Sequence, residues 1–231
     1  MGTYLCHTEP DLYQHDAAVI DAAPGRVALS RSAFHPGGGG QVGDVGRVES
    51  SAGVTDVTHV EVVDGVWWHV LAEPTTELDG TVMVAIDADH RARVAALHTL
   101  SHVLNAFVFD EFEGSLVTGA QINGDGTGRM DFDLTAIDND RLRALETPVN
   151  DVVGRGLEVR ADHVDEGEAH VTPGLIRSLS VAPPPTPDGR LRVIDIAGLD
   201  RQACGGTHLS NTAQASGFRI GKIENKGKRN R

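Results

Sequence analysis

Three groups of residues in this chain have types and spacing that could do chemistry. The first is His98-Thr99-Leu100-Ser101-His102. On a helix, positions i and i+4 lie about 40° apart around the axis. Both imidazoles can then reach one metal ion; in a chain with 11 histidines, a pair of surface or hydrogen-bonded rings is the alternative. The second group is Ala203-Cys204-Gly205-Gly206-Thr207-His208. A thiolate and an imidazole four apart, with two glycines between them, can meet at one ion while the loop bends tightly. The same cysteine beside a histidine also suits a nucleophile, or a buried unreactive thiol. Taken together, three histidines and one cysteine at paired spacings of four form a nitrogen and sulfur donor set that suits zinc. The third group is His35-Pro36-Gly37-Gly38-Gly39-Gly40-Gln41-Val42-Gly43-Asp44. Four successive glycines cost folding entropy, so they imply a loop whose backbone approaches a ligand closely, or else a flexible linker. The run has neither the Lys-Ser/Thr ending of a phosphate loop nor the spacing of a dinucleotide fingerprint.

These groups need elements to position them. Over residues 90–109 the apolar positions Val94, Leu97, Leu100, Leu104 and Phe107 recur at helical spacing, which predicts an amphipathic helix. His98 and His102 fall roughly opposite that stripe, with Ala95 and Asn105 flanking them and leaving room. Residues 1–88 instead carry short runs rich in β-branched residues, at 26–34, 45–49, 54–63, 66–71 and 81–86. Asp64-Gly65 between two of these runs is a hairpin signal, and the regular spacing of the set predicts a small barrel or sandwich. A second helix is expected over 138–153, kinked or split by Pro148. Strands are expected at 157–164, 191–196 and 218–223, with a proline-rich stretch over 182–187. The fold class is therefore α+β: a small N-terminal β-barrel over residues 1–88, followed by a domain over 89–231 that combines an antiparallel sheet with helices.

Composition bounds the function. The chain has 231 residues, 40% of them hydrophobic and 23% charged, which excludes a disordered tail, a collagen-like chain or a disulfide scaffold. With aromatics at 4%, the core must come from Val, Leu, Ile and Ala. The two cysteines, Cys6 and Cys204, give no argument for an oxidising compartment, and Cys6 is expected to pack within the first strand. The N-terminal residues show no basic start and no apolar run of signal length. No stretch approaches the roughly 20 apolar residues that span a bilayer, so the expected location is cytoplasmic, with no membrane partner. Net charge is −13, which taken alone argues against nucleic-acid binding. The charge is uneven, however. Residues 219–231 hold six basic side chains against one acid, a net +5, which leaves −18 on the remainder. Lys222, Lys226, Lys228, Arg229 and Arg231 thus form a basic tip suited to a phosphate backbone, with a solvated terminal run as the alternative.

Four segments occur in one order: Gly-Gly-Gly-Gly-Gln-Val-Gly-Asp, the His98/His102 pair, Gln202-Ala203-Cys204-Gly205-Gly206-Thr207-His208, and Lys222-Ile223-Glu224-Asn225-Lys226-Gly227-Lys228. Together they resemble the free-standing alanyl-tRNA editing proteins, relatives of the editing domain of alanyl-tRNA synthetase. The likeness covers nearly the whole chain, including an N-terminal barrel that the shortest members lack; editing domains of threonyl-tRNA synthetase share the metal motif.

The resemblance implies an aminoacyl-tRNA deacylase acting on mischarged tRNA(Ala), chiefly seryl-tRNA(Ala) with glycyl-tRNA(Ala) second. It implies one Zn²⁺ per chain, held in an editing domain over residues 89–231 by His98, His102, Cys204 and His208. Four protein ligands at once would close the site and favour a structural role, whereas catalysis needs a ligand to give way or a fifth to join. The resemblance also implies a pocket that hydrogen-bonds a serine hydroxyl and leaves a polar group unpaired with alanine. Thr118 aligns with the family's discriminating threonine and Thr207 is the second candidate, while Gly38, Gly39 and Gln41 of the glycine loop are expected to close over the amino acid. One departure stands out: where the family often has Met-Arg before the histidine pair, this chain has Ala95 and Ala96. Two other functions fit the same residues, a zinc hydrolase of a small ester or amide and a zinc-stabilised RNA-binding module without turnover.

Overall fold

The computed structural model describes residues 2–51, 53–134, 138–179 and 189–224. The chain forms two compact units, Met1–Gly38 with Val42–Arg93, and Gly39–Gln41 with Val94–Arg231.

In the first unit the β-branched runs become strands. A short β1 (Thr3–Tyr4) pairs in parallel with β4 (Arg31–Ser32). Six longer strands close a barrel: β2 (Gln14–Ala23), β3 (Arg26–Leu29), β5 (Gly46–Ser50), β6 (Gly53–Val63), β7 (Val66–Leu71) and β8 (Thr81–Ile86). Their order around it is β2-β3-β7-β6-β5-β8, and every pairing is antiparallel. Val27, Leu29, Phe34, Val48, Val57, Val82 and Val84 fill the interior. Asp64 and Gly65 turn the β6–β7 hairpin with φ of 51° and 76°, the left-handed pair that a tight hairpin demands.

The expected strands do not include β2, in which Val19 and Ile20 are the only β-branched residues among Ala, Asp, Gln and His. Closure of the barrel recruits it all the same, with His15 and Ala17 buried between exposed neighbours. The single strand expected over 26–34 divides at Ser30. Ser30 donates its N–H to Ala18 O at 2.8 Å and accepts from Ala18 N at 3.0 Å through Oγ. Cys6 is buried, but in the turn after β1 rather than within a strand.

The helix α1 (Ala88–Glu111) begins in the first unit and belongs to the second from Val94 onward. It is not a surface amphipathic helix, because every residue from Val94 to Val108 is buried or half-buried. Leu100 and Val103 pack with Val149, Val152, Ile194 and Ile196, while Val108 packs with Val117, Phe132, Leu134 and Leu142. The histidine face, expected to lie off the core, is buried as well.

The second unit continues with the hairpin of β9 (Val117–Ile122) and β10 (Gly128–Phe132), then α2 (Asn139–Ala144) and α3 (Glu146–Arg155). The one helix expected over 138–153 is two, meeting at Leu145. Asp138 caps α2 through its side chain, and Pro148 sits in the first turn of α3, where no backbone N–H is needed. β11 (Val159–Asp165), α4 (Glu166–Val171), β12 (Arg190–Ile196) and β13 (Asp200–Ala203) follow, and the three strands form an antiparallel sheet in the order β11-β12-β13.

Residues 218–223 are not a strand. Asn150 donates to Phe218 O and accepts from Phe218 N, each at 2.8 Å, and Ile220 N donates to Glu146 Oε2. Side chains of α3 thus take the place of a neighbouring strand's backbone. The proline-rich stretch at 182–187 lies outside the described residues. A closed antiparallel barrel, separate antiparallel sheets and helices make an α+β fold.

Candidate metal centre

α1 presents His98 and His102, and the turn after β13 presents Cys204 and His208. All four lie in the second unit, with donor atoms within 4.8 Å of one another. The Cys204 Sγ is 3.4 Å from His98 Nε2 and 3.3 Å from His208 Nε2. The three rings crowd together, with centroids 4.4 to 5.3 Å apart. Bond lengths of ~2.0–2.3 Å at a tetrahedral angle place ligand atoms roughly 3.3–3.6 Å from each other. The described residues therefore fit a zinc ion in donor type and in the spacing of these pairs.

The turn is held from several sides. Arg192 on β12 donates through Nη1 to Cys204 O and to Gly206 O, both at 2.9 Å. Cys204 N donates to Arg192 O at 3.0 Å. The glycines were expected to permit a tight bend. For Gly206 the requirement is room instead: a Cβ there would stand 2.2 Å from His98 Cε1 and 2.6 Å from Gln41 Oε1, and its φ is outside the left-handed region.

Hydrogen bonds fix which nitrogen of His98 and of His208 is available. Thr207 N donates to Gln41 Oε1 at 2.9 Å, and Gln41 Nε2 donates to Thr207 Oγ1 at 2.9 Å. That orients the carboxamide, since a backbone N–H can only donate. The His98 Nδ1 that faces the same Oε1 at 2.7 Å must then carry its proton, which leaves a lone pair on Nε2 toward Cys204. Thr99 acts similarly on His208. Its Oγ1 donates to Ala95 O at 2.8 Å, accepts from Leu209 N at 3.0 Å and lies 3.4 Å from His208 Nδ1. Such outer partners orient ligating rings and raise their basicity. Burial, with Arg177 and Arg192 nearby, pushes His102 down to about 4, so this ring is neutral, the form that binds metal. Burial pushes the Cys204 thiol up; binding a cation there would release its proton.

The glycine loop is a defined structure. Gly37, Gly38, Gly39 and Gly40 all have positive φ, from 61° to 115°, which explains four glycines in succession. Gly40 O accepts from Ile122 N at 2.7 Å, and a Cβ on Gly40 would stand 2.5 Å from Ala120 O. A Cβ on Gly38 or Gly39 would meet nothing within 4 Å. Of the loop residues singled out in the sequence, Gln41 is thus joined to the His/Cys cluster.

Thr207 is buried and engaged by Gln41. Thr118 stands on β9 with its Oγ1 buried and, among the described residues, without a hydrogen-bond partner. Lys222 is exposed and paired with Glu224; Lys226, Lys228, Arg229 and Arg231 lie outside the described residues. Sequence reasoning missed Thr99 and Arg192, and treated Asn105 only as a flanking residue. Asn105 and Thr99 carried a usable signal, polar residues on the helix that bears the histidines. Arg192 carried none.

Comparison with known proteins gives these residues a setting. Residues 191–231 match the family model described as the threonyl and alanyl tRNA synthetase second additional domain. An alanyl-tRNA editing protein AlaX-M of Methanosarcina acetivorans is 34% identical over 218 residues, covering 89% of this chain and 86% of that protein. The AlaX-M of Saccharolobus solfataricus is 30% identical over 220 residues, covering 93% and 90%. An alanine–tRNA ligase of Methanococcus maripaludis is 29% identical over 225 residues, which is 95% of this chain but 24% of the ligase. With that identity over most of both partners, the chain belongs to the family of alanyl-tRNA editing proteins.

Proposed function

We propose that this protein hydrolyses mischarged tRNA(Ala) in trans in the cytoplasm, chiefly seryl-tRNA(Ala) with glycyl-tRNA(Ala) second, in a zinc-dependent reaction. The domain over 89–231 performs the hydrolysis, joined by Gly39–Gln41 of the glycine loop, which belong to the same compact unit. The observation that carries this reading is the convergence of three imidazoles and one thiol within 4.8 Å in a member of the alanyl-tRNA editing family. His98, His102, Cys204 and His208 would hold the zinc. Bound there, zinc supplies Lewis acidity to an ester carbonyl or to a water.

The chain's own residues do the rest. Gln41 and Thr99 keep the Nε2 atoms of His98 and His208 unprotonated, and Arg192 fixes the turn that carries the cysteine. Thr118 is the group that reads a serine hydroxyl, because its Oγ1 is buried with no partner among the described residues. Serine satisfies that atom and alanine does not, which is the kind of difference a polar pocket turns into discrimination. Lys222, with Lys226, Lys228, Arg229 and Arg231, supplies charge for the tRNA backbone on a chain that is otherwise strongly acidic.

The test is deacylation of seryl-, glycyl- and alanyl-tRNA(Ala), each with and without chelator. The expected result is release of serine and glycine, sparing of alanine, and loss of activity in chelator. Binding of tRNA without turnover would instead identify an RNA-binding module. Turnover of small esters but of no aminoacyl-tRNA would identify a different hydrolase.

A further inference from the structure

A group of buried polar atoms in the second unit lacks partners in a way that defines a ligand. Among the described residues, six buried side-chain nitrogen or oxygen atoms have no hydrogen-bond partner, and Asn105 Oδ1, Thr118 Oγ1 and Arg177 Nη1 are three of them. Asn105 and Arg177 are joined through one chain of side-chain contacts, which reaches Thr118 only through the backbone of its neighbour. Asn105 Nδ2 donates to Gln202 Oε1 at 2.7 Å, Gln202 donates to Asp200, and Arg177 Nη2 pairs with Asp200 Oδ1 at 2.6 Å. Val117, beside Thr118, donates its N–H to Arg177 O at 2.9 Å. Buried networks are usually satisfied throughout, and one with several open ends is costly unless something else completes it.

The orientation of Asn105 follows from the chain rather than from a choice of rotamer. Gln202 Nε2 faces His102 O at 3.2 Å, and a backbone carbonyl can only accept. Gln202 must therefore turn its nitrogen there and its Oε1 toward Asn105. Asn105 must answer with Nδ2, which leaves Oδ1 as the open end. That oxygen can accept and never donate. Asn105 is 4% exposed and follows His98 and His102 at i, i+4, i+7, on the same face of α1. An aminoacyl ester offers several groups to such an atom. Its ester oxygens only accept, and a serine hydroxyl can do either. The α-ammonium is the obligate donor.

We infer that Asn105 Oδ1 accepts a hydrogen bond from the α-ammonium group of the aminoacyl ester, so that Asn105 reads the feature common to every amino acid while Thr118 reads the side chain. This rests on the deacylase function proposed above. Asn105 is a binding residue here, held in register by Gln202 and Asp200.

The test compares two esters of the same tRNA, seryl and 3-hydroxypropanoyl. The second keeps the side-chain hydroxyl and lacks the nitrogen. For Asn105→Ala, kcat/KM on the seryl ester should fall about tenfold to a hundredfold, the range for a hydrogen bond to a charged group, and on the 3-hydroxypropanoyl ester less than about threefold. Equal losses on both esters, or no loss on either, would overturn the inference and assign Oδ1 to a structural water. Failure of the wild-type protein to hydrolyse seryl-tRNA at all would refute the deacylase reading instead. If Asn105→Ala does not fold, a crystal structure of the wild-type protein with 3′-seryl-amino-3′-deoxyadenosine decides. The seryl nitrogen should lie within hydrogen-bond distance of Oδ1, and a nitrogen bound elsewhere contradicts the inference.

Discussion

Both units of this protein bury histidines, and the two groups differ in how their nitrogens are used. In the barrel, His69 is fully buried, with Nδ1 facing Val27 O at 3.2 Å and Nε2 facing Ser32 Oγ at 2.7 Å. A carbonyl accepts only, so Nδ1 carries the proton and Ser32 donates to Nε2 while accepting from Phe34 N. His15 is similarly occupied, by Asp16 O on Nδ1 and Ala33 N on Nε2. All four ring nitrogens of His69 and His15 are committed to a fixed protein partner. In the second unit, His98 and His208 each commit Nδ1, to Gln41 and Thr99 respectively, and turn Nε2 toward one sulfur. Residue type is the same in both places, and His98 is as buried as His15, while His208 is half-buried. What marks a site is the nitrogen that secondary partners leave over.

This contrast predicts a graded set of effects. Replacing a member of the second cluster, as in Cys204→Ala or His98→Ala, should bring zinc to background in metal analysis. Deacylation of seryl-tRNA should drop by more than about a hundredfold, beyond the loss typical of an outer partner. The barrel histidine should act on stability alone. Burial lowers His69 to about 4 from 6.5, so its ring is neutral when folded, while the unfolded chain takes up a proton near 6.5. The stabilisation is complete above pH 6.5 and is lost as pH falls from 6.5 toward 4, on the order of 3 kcal/mol. Urea midpoints across that window should fall more steeply for the wild type than for His69→Gln; parallel curves would show that His69 is not the group responsible.

Smaller effects probe the partners. Gln41→Leu removes the acceptor from His98 Nδ1 and should weaken zinc binding by roughly 10–100-fold, as read by competition with a chromophoric chelator. Gln41→Glu keeps that acceptor and should lose less. An affinity unchanged in Gln41→Leu would mean that His98 does not depend on this bond. Thr118→Val should lower kcat/KM on seryl-tRNA by about tenfold with full zinc content. Wild-type activity in that variant removes Thr118 from the pocket.

Much of this architecture was legible in the sequence where the signal is local. The β-branched runs mark most barrel strands, and the i, i+4 spacing together with Cys-Gly-Gly-Thr-His marks the cluster, because both depend on residues a few positions apart. β2 was not legible: apart from Val19 and Ile20 its residues have little strand preference, and its place follows from closing the barrel. The extended run at 218–223 misled because its backbone bonds go to Asn150 and Glu146, about 70 residues away. Four glycines announced a special loop, but that Gln41 would orient His98, 57 residues on, has no counterpart in spacing. Asn105 was in plain view on the histidine face, and only its open hydrogen bond distinguishes it from a space-filling neighbour.

The most direct test of the central claim is the optical spectrum of the protein loaded with cobalt(II) in place of zinc. A centre built from three imidazoles and the Cys204 thiolate predicts one cobalt per chain, intense visible bands of tetrahedral geometry and a near-ultraviolet sulfur-to-cobalt transition that vanishes in Cys204→Ser. A spectrum of the loaded protein that is the same with and without the Cys204 sulfur would contradict it.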